Sequence, residues 1–142
     1  LLRSSKIIYC LGYLDRCCVP QWEKDLRVKQ LDYRIHFALN CGALSCPPIS
    51  AYKSDKIEKL LTIAERAFVS ADSKYSDNDE TLTVSKIFLW YKGDFGGKDG
   101  IVKIHSKYFD YKGKSPSVKY ADYNWTVVEN YADYEAKEGG SD

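Results

Sequence analysis

Apolar and polar residues alternate in two stretches of the chain and recur at helical spacing in several others. Ile35, Phe37 and Leu39 alternate with Arg34, His36, Ala38 and Asn40, a period of two that predicts a strand over residues 34–40 with one apolar face. Gly42 and the pair Pro47 and Pro48 bracket its end. Prolines supply no ladder hydrogen bonds, so pairing is expected to stop there. Val118, Tyr120, Tyr123, Trp125 and Val127 predict a second strand over residues 118–128, kinked near Ala121 and Asp122. Residues 81–84 predict a shorter one.

The strongest helical pattern is in residues 55–71. Ile57, Leu60, Leu61, Ala64, Ala67, Phe68 and Ala71 fall three and four apart, one apolar stripe. Lys56, Glu58, Lys59, Glu65 and Arg66 fall off it, Ser54 is placed to cap the start, and Asp55 suits the first turn. Residues 85–95 predict a short aromatic helix ending near Gly93, residues 96–100 a flexible glycine-rich break, and residues 101–109 a return to helical spacing through Ile101, Ile104, His105 and Tyr108. Elsewhere the pattern is weaker. Residues 1–13 fit a helix remnant and 15–21 a loop. Residues 22–31 fit a short helix or linker, 73–80 a polar surface loop and 111–117 a turn-rich link. The interspersed order, without regular βαβ alternation, predicts an α+β fold in one domain over residues 1–130, followed by an acidic flexible tail over 131–142. A small sheet around residues 34–40 and 118–128 is expected to carry the 55–71 helix.

Composition narrows the function classes. A chain of 142 residues, 44% apolar and 29% charged, is one domain's worth of ordinary globular sequence. Its net charge of +1 gives no long-range pull toward nucleic acid or anionic membrane, and no apolar run approaches the roughly 18 residues of a membrane span. A protein partner is compatible with this balance, and nothing in the residues calls for a cofactor. The five cysteines are odd in number and are not spaced like a secreted disulfide scaffold. With no charged head and apolar stretch in the first ten residues, this favours a reducing, cytoplasmic setting with mostly free thiols. The chain opens on Leu1 and contains no methionine, which leads us to expect a longer parent sequence.

Nucleophile and base types gather at one place, His36, Asn40, Cys41, Ser45 and Cys46. The plainest reading makes Cys41 and Cys46 small buried hydrophobes, His36 a core histidine bonded to backbone carbonyls, and Asn40 the cap of the turn. Three chemistries stand beside it. A cysteine nucleophile, Cys46 or Cys41, would use His36 as base and Asn40 to orient the ring. In a continuous strand, however, His36 and Asn40 would lie about 13 Å apart and Cys41 would face the other way. Only Cys46, beyond the turn, would be free to fold back beside His36. A metal could use His36, Cys41 and Cys46, an H-x4-C-x4-C spacing that lacks the short Cys-x2-Cys knuckle and needs a distant fourth ligand. A Cys41–Cys46 disulfide, structural or redox-active, would close a short loop. The aromatic residues Trp90, Tyr91, Phe95, Tyr123 and Trp125 read first as core.

The run RIHFALNCGALSCPPI resembles the signature of the domain of unknown function 547 family, D-P-R-I-H-F-A-L-N-C-G-A-x-S-C-P-P followed by an amphipathic helix. Asp32, the residues from Arg34 to Ala43, and Ser45 to Pro48 match, whereas Tyr33 stands where the family usually has proline. Trp90, Tyr91, Asp94 and Phe95 are similar to the family's W-Y-x-x-D-F helix. The stretch around Tyr123, Asn124, Trp125 and Thr126 is similar to its closing Y-D-W-S-L-N strand, with Asn124 in place of the acid. The resemblance runs from near Leu1 to about Val128 and implies that an earlier part of the family's domain, with an F-W-I-N-x-Y-N helix, is missing. It brings no established activity. Relatives that join the domain to leucine-zipper, glutaredoxin or DEP regions imply an adaptor or redox-linked role by analogy only. The expectation is a structural or interaction module, with a thiol-dependent hydrolase, transferase or redox-linked protein as the alternative.

Overall fold

Thr81–Val84 is the strand on which the fold is assembled. In the computed structural model, which describes residues 20–25 and 30–127, the helices are α1 (Gln21–Asp25), α2 (Ile57–Asp72), α3 (Ile87–Trp90) and α4 (Gly97–His105). The strands are β1 (Lys74–Ser76), β2 (Thr81–Val84) and β3 (Ser117–Tyr120). β2 is the middle strand of a three-stranded sheet, antiparallel to β1 and parallel to β3. Leu82 and Val84, two apart on one face of it, are fully buried, as the alternation in TLTV requires. The α+β class and the small helix-packed sheet are thus as the sequence predicts. Among the described residues, no helix is long and apolar enough to cross a membrane. The expectations for residues 1–13, for most of 15–21, for 26–29 and for the 131–142 tail lie outside the described residues, and α1 gives the start of the 22–31 stretch the expected short helix.

The largest departure is at residues 34–40, which do not form a strand. Tyr33–Phe37 is a 3-10 helix. The Asp32 carboxylate accepts the backbone N–H of Arg34 at 2.9 Å and so caps the turn. Arg34 then reaches α2, where it bonds the Thr62 hydroxyl at 3.0 Å and the Glu58 carboxylate at 2.6 Å. Three apolar positions at period two were too few to outweigh this capping and docking. The supposed apolar face does not exist, since Phe37 is buried while Leu39 is 45% exposed.

Smaller corrections follow the same logic. Ser54 opens a 3-10 turn, Ser54–Lys56, rather than capping the helix. The buried stripe of α2 is Leu61, Glu65, Phe68 and Val69, so Glu65, expected off the stripe, is on it. The polar 73–80 segment contains β1 and a tight turn into β2. The 118–128 strand ends its ladder at Tyr120, close to the expected kink, and pairs again only through an isolated bridge from Val127 to Ala43. The glycine-rich break belongs largely to the first turn of α4, entered through Gly96 in the left-handed region (φ 77°).

Phe37, Phe68, Phe88 and Phe95 meet in the centre of the core, with Phe37 and Phe68 stacked at 5.2 Å and Phe88 and Phe95 tilted against each other at 4.5 Å. His105 is fully buried beside them. Its Nδ1–H donates to the Ile101 carbonyl at 2.8 Å, and its Nε2 accepts from the Ser73 hydroxyl at 2.9 Å. Burial holds its pKa below the usual imidazole value, against smaller opposing effects of the Ile101 bond and Glu65. The unfolded chain therefore takes a proton, near pH 6.5, that the folded chain refuses. Stability should be complete above about pH 6.5 and fall as pH drops below it, with a slope of at most about 1.4 kcal/mol per pH unit from this group. Urea unfolding between about pH 5 and pH 8 checks this, and His105→Gln should flatten that part of the profile.

Candidate functional site

The turn after the 3-10 helix brings the chemistry-bearing residues together. Asn40 shapes it, its Oδ1 accepting the Gly42 N–H and its Nδ2 donating to the Pro47 carbonyl, both at 2.6 Å. Gly42 takes a left-handed conformation (φ 84°), which lets the chain double back. Cys41 and Cys46 then face each other and are joined as a disulfide, with their Cα atoms 6.3 Å apart. The two sulfurs sit in different surroundings, for Cys41 is an exposed residue and Cys46 is only 5% exposed. The backbone N–H of Cys41 points at the Cys46 Sγ at 3.0 Å.

The loop is stitched to the segment that follows β3. Leu44 N–H donates to the Thr126 carbonyl at 2.9 Å and Ser45 N–H to the Asn124 carbonyl at 3.2 Å, while Asn124 N–H returns a bond to the Ser45 hydroxyl at 2.8 Å. Asn124, where the resemblance expects an acid, turns the chain by accepting the Thr126 N–H at 2.9 Å. This segment carries Tyr123 to the sulfurs, its hydroxyl 3.2 Å from Cys46 Sγ and 3.7 Å from Cys41 Sγ.

His36 completes the same place from below. The 3-10 geometry, rising only about 2 Å per residue, removes the separation a strand would have imposed. His36, Asn40, Cys41 and Cys46 all border one cavity of about 240 Å³ walled by Trp90, Tyr91, Tyr123 and Trp125. The His36 Nε2 lies 2.7 Å from the Asp94 carboxylate, both side chains being buried. Tyr91 stacks flat on the imidazole at 4.1 Å. A disulfide, an imidazole and a phenol at one cavity can support sulfur exchange. Among the described residues, no group of three His, Cys, Asp or Glu side chains is arranged to hold a metal ion, and the sulfurs of Cys41 and Cys46 are turned to each other.

Asp94 and Tyr123 are the residues that sequence reasoning did not place at the site, Tyr123 having been read as core. Asp94 is 58 positions from His36. Its one signal was an acid set among the aromatic residues of WYKGDF, a costly residue to bury without a partner. A second polar concavity, of about 700 Å³, lies over α2 and includes Tyr33, Arg34, Glu65 and Lys107. Its central carboxylate, Glu65, is already occupied by Tyr33 at 2.8 Å, Lys107 at 2.7 Å and Tyr108 at 2.9 Å. Burial and the bond to Glu65 push the Tyr108 phenol up to about 12. These groups satisfy one another and tie the 3-10 helix to α2 and to the turn that follows α4.

Residues 3–69 match the model of a family described as Protein of unknown function, DUF547. The match covers the 3-10 helix, the cysteine loop and most of α2, and it stops before Asp94 and Tyr123. No curated protein and no solved structure matches the chain.

Proposed function

We propose from the geometry that Cys41 and Cys46 form a thiol–disulfide exchange site; the family whose model matches residues 3–69 carries no assigned chemistry. The observation that carries the proposal is the inequality of the two sulfurs. Cys41 is exposed to an incoming thiolate, whereas Cys46 is sheltered and already receives the Cys41 N–H. Exchange proceeds by attack of a thiolate on one sulfur and departure of the other, and it is favoured where the departing thiolate is stabilised. An incoming thiolate RS⁻ bonds to the Cys41 Sγ, the Cys41–Cys46 bond breaks, and its electron pair leaves on the Cys46 Sγ. A second thiol then attacks the sulfur of R in the mixed disulfide and releases the Cys41 thiolate. In sum, two RSH and the protein disulfide become RSSR and the protein dithiol. His36, held by Asp94 and stacked on Tyr91, builds the floor beneath the sulfurs.

A structural or interaction-mediating role, with the loop as a packing device, has its own support in the backbone bonds between residues 44–45 and 124–126. One experiment separates the two. The native protein is equilibrated in graded glutathione buffers, acid-quenched, alkylated and mapped by mass spectrometry. Reversible, coupled appearance of thiols at Cys41 and Cys46 is expected, and Cys46→Ser should hold glutathione on Cys41 as a stable mixed disulfide. A Cys41–Cys46 bond that yields to thiols only after the protein is unfolded would leave the packing role and remove the exchange role. Cysteine hydrolase or transferase chemistry with His36 as base would require the reduced pair, which the same titration prepares.

A further inference from the structure

We infer that Tyr123 is the group that directs this exchange, by donating a hydrogen bond from its hydroxyl to the sulfur of Cys46 and so stabilising the thiolate as that sulfur departs. This rests on the exchange reading above. Neither sulfur of a disulfide carries a hydrogen, so in the contact at 3.2 Å the phenol O–H is the donor and the Cys46 Sγ the acceptor. The Cys41 N–H approaches the same sulfur at 3.0 Å. Two donors therefore converge on Cys46, while the phenol stands farther from Cys41, at 3.7 Å. A donor aimed at a sulfur strengthens as negative charge develops there, which favours the thiolate over the thiol. The bond that breaks is then polarised in one sense, with Cys41 attacked and Cys46 leaving.

The phenol is held for this task by its neighbours. Its ring packs against Trp90 at 4.7 Å and Trp125 at 4.6 Å, which themselves meet at 5.4 Å, and the chain on its C-terminal side is fastened to Ser45 in the cysteine loop itself. Both ends of the hydrogen bond thus sit on one stitched unit, although the residues are 77 positions apart. The donor comes from a part of the chain that the cysteine loop's own sequence does not contain.

Tyr123→Phe keeps the ring and its contacts with the two tryptophans and removes only the donor. Cys46 is titrated through its thiolate ultraviolet absorbance in a Cys41→Ser protein whose Cys10, Cys17 and Cys18 are also serine, with and without Tyr123→Phe. We expect the Cys46 pKa to rise by about one unit without the phenol, about a tenfold smaller thiolate population at neutral pH. In the otherwise unaltered protein, Tyr123→Phe should slow reduction by glutathione about threefold, as the weaker dependence of rate on leaving-group acidity dictates. Coincident Cys46 titrations in the two serine variants would overturn the role of Tyr123. A raised pKa together with a disulfide that glutathione cannot open in the native protein would instead overturn the exchange reading and with it the direction assigned here.

Discussion

Replacing Asp94 by alanine is expected to cost about 3 kcal/mol of stability, close to what the loss of one partner of a buried polar pair removes elsewhere. The His36 and Asp94 side chains are 2% and 0% exposed, and their bond is 2.7 Å long. Once the carboxylate is gone, the buried His36 Nε2 faces a hole where a hydrogen-bonding group was, and a buried polar group that loses its partner costs its desolvation penalty. The imidazole also fixes the turn that leads to Asn40 and the cysteine loop. Asp94→Ala should therefore loosen that loop as well as lower the urea midpoint, and faster alkylation of Cys41 and Cys46 after mild reduction would report it. Asp94→Asn, which keeps the shape and one acceptor oxygen, should lose markedly less. If Asp94→Ala unfolds within about 0.5 kcal/mol of the parent protein, the pair is not what holds the cavity floor.

Gly100→Ala should be as damaging, although alanine is the best helix former and would ordinarily gain about 1 kcal/mol in a helix interior. A Cβ at Gly100 would lie 1.8 Å from the carbonyl oxygen of Phe95 and 2.8 Å from its carbonyl carbon. Both are backbone atoms, and Phe95 is itself anchored in the core at 3% exposure, so neither side can yield cheaply. The first turn of α4 would have to lift away from Phe95, and overpacking of this kind costs about 3 kcal/mol. For a chain of this size that is a fall of roughly 10 °C in the melting temperature, measurable by calorimetry. Lys98→Ala, in the same turn but exposed, should leave the melting temperature nearly unchanged and serves as the control.

Both positions show how far local reading carries. Gly100 reads as part of a flexible break because GGKDG is rich in the residue that tolerates any conformation. Its true reason is a close approach of helix and loop that no local pattern encodes. The alternation over residues 34–40 reads as a strand because three apolar positions satisfy a period of two. The Asp32–Arg34 cap and the bonds from Arg34 to α2 decide for a 3-10 helix instead, and half of that decision lies on another element. Glu65 reads as a surface residue of α2. It is buried because Tyr33, Lys107 and Tyr108 arrive to satisfy it.

The helices α2, α3 and α4, the strands β2 and β3 and the α+β class were written in the chain itself, because amphipathic spacing, β-branched runs, glycine and proline act over a few residues; β1, read as a polar loop, was not. The resemblance carried by the cysteine loop likewise needed only contiguous residues. The partners were decided in three dimensions. His36 finds Asp94, the Cys46 sulfur finds Tyr123, and the loop finds the 123–127 segment across separations that no periodicity spans. Hydrogen bonds and burial act through space, so which acid meets which base is settled only when the helices close on the sheet.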